Sequence, residues 1–384
     1  MKQSKKLRIL FVTNNYTPYS AGVVSSINAA TEALSLAGHE VFIAAPDFLG
    51  KKAPNRPQDP PYVFRITCPI HFTYKEKHIA IPFFPQKELS AIISELKPDI
   101  IHTHHPFLLG KAALAVARKL SIPIVFTYHT LYEYYAHYFH CPQKIAQWIA
   151  KRYATQYCNA VDAVIVPSTA VKEHIIKQGV STPTTVIPSA LQSFFINEHR
   201  PYKQKHRLEL FRLLLVSRMV KEKNIPFALE AFKLLPNDFK LIVIGNGDEY
   251  KNIVSYAYDR LRLPRASVLF IKESKGQELV EFYKGSDLFL FPSTTDTQGI
   301  VLAESMACGT PVVSVDGPGQ RDIIRNGMNG FLVKTPQEMA DVIMQIKKDK
   351  DLHMLLQEYA WRTSRFYMPQ VMGDRLTEFY GTLL

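Results

Sequence analysis

The sequence predicts an α/β protein built from two doubly wound parallel sheets. Three observations point there. Apolar runs of strand length alternate with segments of helical period. The alternation breaks once, over a polar and basic stretch from Pro188 to Arg207, and then restarts. The 384 residues, 47% of them hydrophobic, are enough for two separate cores. Strands buried on both faces with helices between them mark parallel sheets covered on each side.

In chain order, Leu7–Asn14 reads as a strand, Val23–Leu36 as a helix and Glu40–Ala45 as a strand. After a Pro- and Lys-rich loop come a strand at Val63–Cys68, a helix at Lys87–Leu96 and a strand at Asp99–His104. A helix at Leu109–Leu120, a strand at Ile122–Tyr128 and helical stretches between Tyr132 and Tyr157 follow. A strand at Asp162–Pro167, a helix at Ala170–Gln178 and a strand at Thr184–Ile187 close the first half. In the second half Phe211–Ser217, Lys240–Ile244, Val268–Lys272, Asp287–Phe291 and Pro311–Val315 read as strands separated by helices. A helical stretch from Pro336 to the C-terminus is too long for one helix and should break near Tyr367-Met368-Pro369. The expected division is 1–187, a linker at 188–207, 208–366, and a C-terminal helix at 367–384 that returns to the first domain.

Several function classes are disfavoured. The apolar run near the N-terminus, Ile9 to Val12, is too short for a signal peptide, and no window reaches the roughly 18 apolar residues of a spanning helix. A protein that is soluble, or sits on a membrane surface, is expected. Four scattered cysteines without a C-x-x-C pair suggest neither a zinc site nor a disulfide framework and fit a reducing, cytoplasmic compartment. The net charge of +12 is uneven: residues 1–185 hold 20 Lys and Arg against 11 Asp and Glu, the remainder 26 against 23. No nucleic-acid-binding pattern accompanies that excess, so an anionic substrate or membrane surface is the expected partner, and nucleic acid is not. Neither G-x-G-x-x-G nor G-x-x-x-x-G-K-[ST] occurs, which argues against dinucleotide enzymes and P-loop NTPases.

The stretch Asp287–Gly309, DLFLFPSTTDTQGIVLAESMACG, reads as a strand, a polar turn holding Gly299, and a helix start. A helix N-terminus offers unsatisfied N–H groups and a positive dipole end, a ready phosphate site. Two acids frame it, Asp296 and Glu304. Around it stand Val216–Asn224 (VSRMVKEKN), Ile244-Gly245-Asn246-Gly247, Phe291-Pro292-Ser293, Ala307–Val313 (ACGTPVV) and Asn326–Phe331 (NGMNGF).

This ordered set resembles the retaining family 4 glycosyltransferases of the GT-B fold, two Rossmann-like domains facing across a cleft. The family's hallmark is an acid, seven residues and a glutamate. The resemblance implies that Arg218 and Lys223 clamp a diphosphate, that Gly247, Gln298, Gly299 and Ile300 line the donor, and that Glu304 receives ribose hydroxyls. It further implies that Asp296 holds the sugar ring. The family usually has glutamate at that position, and the Thr297-Gln298-Gly299 that follows is associated with lipid-directed members.

The first half resembles the family more loosely. Asn15–Val23 stands where a Gly-Gly loop meets the donor phosphates, and only Gly22 is kept. His129, at a strand's carboxyl end, looks like the family's active-site histidine; a core histidine bonded to backbone is the plain alternative. His102, His104 and His105 lack a carboxylate or cysteine at ligand spacing, so no metal is expected, and the fold implies no obligatory cofactor. Aromatic and basic residues, Tyr132, Tyr134, Trp148, Lys151 and Arg152, suit an anionic lipid interface. Phe126–Glu133 resembles the matching stretch of bacterial diacylglycerol glucosyltransferases. The reading is therefore hexose transfer, glucose foremost, from a UDP-sugar to a membrane lipid such as diacylglycerol, by a peripheral protein on the cytosolic membrane face. Other readings are the same chemistry on a glycan or small molecule, a UDP-sugar epimerase, and a non-catalytic sugar-nucleotide binding protein.

Overall fold

The computed structural model describes residues 5–18, 22–49, 58–74, 77–133, 142–196 and 210–384. The chain forms two compact units, Met1–Ala190 with Pro369–Leu384, and Leu191–Met368.

The first unit runs β1 (Arg8–Val12), α1 (Gly22–Leu36), β2 (Glu40–Pro46), β3 (Val63–Ile66), β4 (Ile70–Tyr74), β5 (Lys77–Ile81), α2 (Pro85–Leu96), β6 (Ile100–Thr103), α3 (Leu109–Leu120), β7 (Ile124–Thr127), α4 (Gln143–Cys158), β8 (Ala163–Val166), α5 (Thr169–Lys177) and β9 (Thr184–Val186). Seven of these strands form one sheet, ordered β3-β2-β1-β6-β7-β8-β9, with every pairing parallel. Period-two alternation sends Leu10 and Val12 of β1 into one core and Ile9 and Phe11 into the other. β4 and β5 pair as an antiparallel hairpin that the sequence reading passed over.

The second unit runs β10 (Phe211–Val216), α6 (Ile225–Lys233), β11 (Phe239–Ile244), α7 (Tyr250–Ser255), β12 (Val268–Ile271), α8 (Gly276–Lys284), β13 (Leu288–Phe291), α9 (Ile300–Ala307), β14 (Val312–Val315), α10 (Pro318–Ile323), β15 (Gly330–Val333), α11 (Pro336–Lys348) and α12 (Lys350–Ser364). Its parallel sheet is ordered β12-β11-β10-β13-β14-β15. β15 is absent from the strands expected from sequence. Its entry is shaped by Asn329, fully buried, whose side chain accepts from Arg325 N and donates to Ile323 O.

One device recurs in both sheets. Asp99, Asp162 and Asp287 each precede a strand and accept a backbone N–H from the neighbouring strand, of Arg8, Ile124 and Arg212, at 2.7–2.8 Å. A carboxylate there satisfies a donor the ladder leaves open and sets the register.

Two expectations need correction. The linker does not begin at Pro188, because Leu191 and Phe195 are buried in the second unit's core. Residues 197–207 of the expected linker lie outside the described residues. The long C-terminal helix also breaks at Asp349, whose carboxylate caps α12 by accepting from Leu352 N at 2.9 Å. The last helix, α13 (Pro369–Gly381), belongs to the first unit and packs along α1, with Gly373 so close that a Cβ would meet the Ala33 carbonyl at 2.5 Å.

Candidate functional site

In an open parallel sheet, ligands bind beyond the carboxyl ends of the strands, where strand order reverses. In the second unit that point lies between β10 and β13.

The exit of β10 is laced to the exit of β11: Ser217 N donates to Ile244 O at 3.0 Å and Met219 N to Asn246 O at 2.8 Å. Gly247 makes this approach possible. Its φ is +153°, and a Cβ would sit 2.5 Å from the Met219 carbonyl. A short turn at Lys221–Lys223 follows, with Asn224 left-handed at φ 50° before α6.

Across the switch point, Lys223 Nζ meets Asp296 Oδ1 at 2.6 Å, and Ser293 Oγ donates to Glu222 O at 3.4 Å. The two side chains of the pair are only 15% and 20% exposed, and Asp296 Oδ2 is buried without a hydrogen-bond partner. Arg218 lies on the same loop, half-exposed, 3.9 Å from the Glu222 carboxylate. Beyond Asp296, Gln298 is buried and Gly299 takes φ +69° to start α9 at Ile300 without a side-chain cap. Glu304 lies one turn in, its Oε2 accepting from the Tyr283 hydroxyl at 3.1 Å. Burial pushes the Glu304 carboxyl up to about 7, against the opposing pull of the Tyr283 hydrogen bond.

The exit of β14 supplies a buttress the sequence reading missed. Gly319 N donates to Asp296 O at 3.2 Å, and a Cβ on Gly319 would lie 2.7 Å from that oxygen. Gln320, fully buried, donates through Nε2 to Ser293 O. A Gly-Pro-Gly run directly after a strand was the available signal.

In the first unit, the order reverses between β1 and β6. Asn14 holds the two exits together: its N–H donates to His105 Nδ1 at 3.2 Å and its side chain bonds Phe107 O and Leu109 N. His102 lies between the Tyr380 hydroxyl, 2.7 Å from Nδ1, and the Thr127 hydroxyl, 2.6 Å from Nε2. His104 Nδ1 and His129 Nε2 share a hydrogen bond of 2.9 Å. Burial lowers all four imidazoles, His102 and His129 to about 3, His105 to about 4 and His104 well below its ordinary value, so they are neutral near pH 7. Among the described residues no group of three His, Cys, Asp or Glu is placed to hold a metal ion. Gly22 opens α1 with free space around it, and the residues just before it, 19–21, lie outside the described residues.

The residues read as an aromatic and basic interface divide. Trp148 is 60% exposed on α4 with the Arg152 guanidinium 5.6 Å from its ring centre, and Lys151 is exposed beside them. Ile145 and Ile149, not singled out from sequence, are exposed at helical spacing on the same stripe. Tyr132 is a correction: it packs against Phe107 and Tyr128, each 5.4 Å away, and its hydroxyl is enclosed. It is half-buried and packs against the first unit's core. Tyr134 lies outside the described residues. No helix among the described residues is long and apolar enough to cross a membrane.

Comparison with known proteins matches residues 20–191 to the family Glycosyltransferase Family 4 and residues 198–363 to Glycosyl transferases group 1. The alpha-monoglucosyldiacylglycerol synthase of Streptococcus pneumoniae is 32% identical, over 97% of this chain and 85% of its own length. The enzyme of the same name from Acholeplasma laidlawii is 27% identical over 98% of each chain. Among solved structures, a sucrose-phosphate synthase from Thermosynechococcus elongatus superposes with a TM-score of 0.79 at 18% identity, covering 98% of this chain and 99% of that one.

Proposed function

This chain belongs to the family 4 glycosyltransferases of the GT-B fold, and on that premise we propose that it transfers glucose, with retention, from UDP-glucose to a membrane lipid such as diacylglycerol. The observation that carries the donor side is the Lys223–Asp296 pair bridging the β10 and β13 exits, with Arg218 beside it. Breaking the glycosidic bond releases an anionic diphosphate, and charge that develops there needs donors fixed in advance. Arg218, Lys223 and the N–H groups at Gly299 and Ile300 are those donors. Lys223 exchanges Asp296 for phosphate oxygens, and Asp296, released, accepts hydroxyls of the sugar ring. Glu304 accepts from the ribose hydroxyls and Gln298 lines the same pocket. Gly247 and Gly22 let backbone approach the donor. His129, uncharged, bonds the transferred sugar. No metal or cofactor is needed in this scheme, because two cationic side chains stand where a divalent ion would compensate the leaving group.

The lipid reading draws on the two synthases named above and on the α4 stripe, where Ile145, Trp148 and Ile149 sit beside Lys151 and Arg152. Apolar anchors next to basic groups suit the cytosolic face of an anionic bilayer. The test is labelled UDP-glucose, UDP-galactose or GDP-mannose with diacylglycerol in anionic vesicles. Label from UDP-glucose in the organic phase supports the proposal. Label from another donor, or only in water-soluble product, replaces the donor or the acceptor. UDP-glucose binding without turnover refutes the enzyme reading.

A further inference from the structure

Tyr283, near the end of α8, is a fully buried tyrosine that the scheme above does not use. Its ring is packed 5.9 Å from the Phe195 ring and 5.4 Å from that of Phe289, centre to centre. Its backbone is held as well. Thr310 Oγ1 donates to the Tyr283 carbonyl at 2.6 Å, and Ser305, next to Glu304, donates through Oγ to Thr310 O at 2.8 Å. The end of α8 is thereby stitched to α9, and the Tyr283 hydroxyl reaches Glu304 Oε2 from a fixed direction, at 3.1 Å. The other oxygen, Oε1, bonds none of the described residues.

The terminal torsion of a glutamate is soft, so a carboxylate is aimed only by what bonds it. A donor fixed in the core removes that freedom and favours the ionised form. Burial, and after it the Glu304 charge, push the Tyr283 hydroxyl well above its ordinary range, so it keeps its proton and donates. The Glu304 carboxyl itself answers to burial, which raises it, and to the Tyr283 hydrogen bond, which pulls it down. Charged groups on the helices packed nearby are turned to other partners: Arg321 of α10 to Asp316, Arg362 of α12 to Glu358, and Lys284 of α8 to Glu281. The adjoining strands β13 and β14, LFLF and VVSV, carry no titratable side chain. We propose that Tyr283 is a positioning residue for the donor: its hydroxyl ties down Glu304 Oε2, so that the carboxylate is held with Oε1 turned to the ribose hydroxyls.

The contact with ribose rests on the reading of Glu304 given above; the coupling of Tyr283 to Glu304 does not. The tests separate them. Tyr283→Phe keeps the ring and removes the donor. At pH 7 its KM for UDP-glucose should rise about fivefold to tenfold with kcat within about twofold, since ground-state binding is what is lost. The fall of KM with pH, centred near 7 in the wild type, should move up by about 1 pH unit. Lost packing alone would raise KM without moving that midpoint. A second measurement needs no donor. Without the hydrogen bond the folded Glu304 carboxyl lies further above its unfolded value, so the added cost to folding is absent below about pH 4.5 and grows as pH passes 7. Tyr283→Phe should therefore lower Tm by more at about pH 8.5 than at about pH 5, and this pH dependence should vanish in a Glu304→Gln background. An equal loss of Tm at both pH values, or a pH dependence that persists in Glu304→Gln, overturns the coupling. A KM midpoint unmoved in Tyr283→Phe while the coupling holds overturns the positioning role. UDP-glucose binding in Glu304→Gln equal to that of the wild type, with the coupling intact, overturns the ribose reading alone.

Discussion

The two switch points share a topology and differ in chemistry. Between β10 and β13 the strand exits present charge: Arg218, a Lys223–Asp296 pair at 2.6 Å, and Glu304 with its proton held to about pH 7. Between β1 and β6, and at the adjoining exit of β7, they present amides, hydroxyls and imidazoles that burial keeps neutral. The charged groups of the second unit's crevice suit an anion, and the neutral groups of the first suit hydroxyl-bearing ligands. The proposed transfer from a nucleotide diphosphate to a neutral acceptor draws on that contrast.

The largest predicted effect tests the charged side. Lys223→Ala or Arg218→Ala should lower kcat/KM for the donor by about 10²–10³, the usual cost of losing one preorganised donor to a developing anion. Lys223→Ala also leaves the Asp296 carboxylate without its counter-charge, so Arg218→Ala is the cleaner variant for stability. Next comes Asp296: replacement by Asn keeps its size but removes the charge that holds Lys223 and accepts sugar hydroxyls, and should cost about tenfold to a hundredfold in kcat, the worth of a hydrogen bond to a charged group. Asp296→Glu should retain activity if the carboxylate only accepts sugar hydroxyls, since a loop adjusts to one methylene.

A smaller effect is pH-dependent and has a definite sign. The folded Glu304 carboxyl titrates above its unfolded value, so its cost to folding is absent below about pH 4.5 and grows as pH rises toward 7. Glu304→Gln should therefore raise Tm by a few degrees at pH 8 and not at pH 4, while weakening donor binding. In the wild type, donor KM should fall as pH rises through about 7, because the carboxylate is the form that accepts ribose hydroxyls. The smallest effect concerns the lipid side. Trp148→Ala with Lys151→Ala should reduce cosedimentation with anionic vesicles, each basic contact counting for about 1 kcal/mol, and wild-type binding should weaken with salt. Salt-independent binding contradicts a membrane role for α4.

Much of this was legible in the sequence because period-two burial and strand-end glycines leave local signatures. The strands from β10 to β14 could be placed from their apolar runs, and Arg218, Lys223 and Asp296 on the turns after them and Glu304 on the following helix from the ordered motifs. Contacts set by tertiary packing were not. The pairing of Lys223 with Asp296 spans 73 positions, and the enclosure of Tyr132 depends on Phe107 and Tyr128 from other segments. The β4–β5 hairpin is a short two-stranded excursion that no helix follows, so the α/β rhythm gave no cue for it. The helix break at Asp349 has no distinct sequence signal, because a cap and a surface acid look alike until the backbone turns.

The contrast between the crevices is tested most directly by calorimetric titration of UDP into the wild type, Arg218→Ala and His129→Asn. The account predicts that Arg218→Ala weakens UDP binding at least tenfold, by about 1.4 kcal/mol or more, and that His129→Asn leaves it unchanged. UDP binding that survives Arg218→Ala and is lost in His129→Asn would contradict the assignment of the charged crevice to the diphosphate.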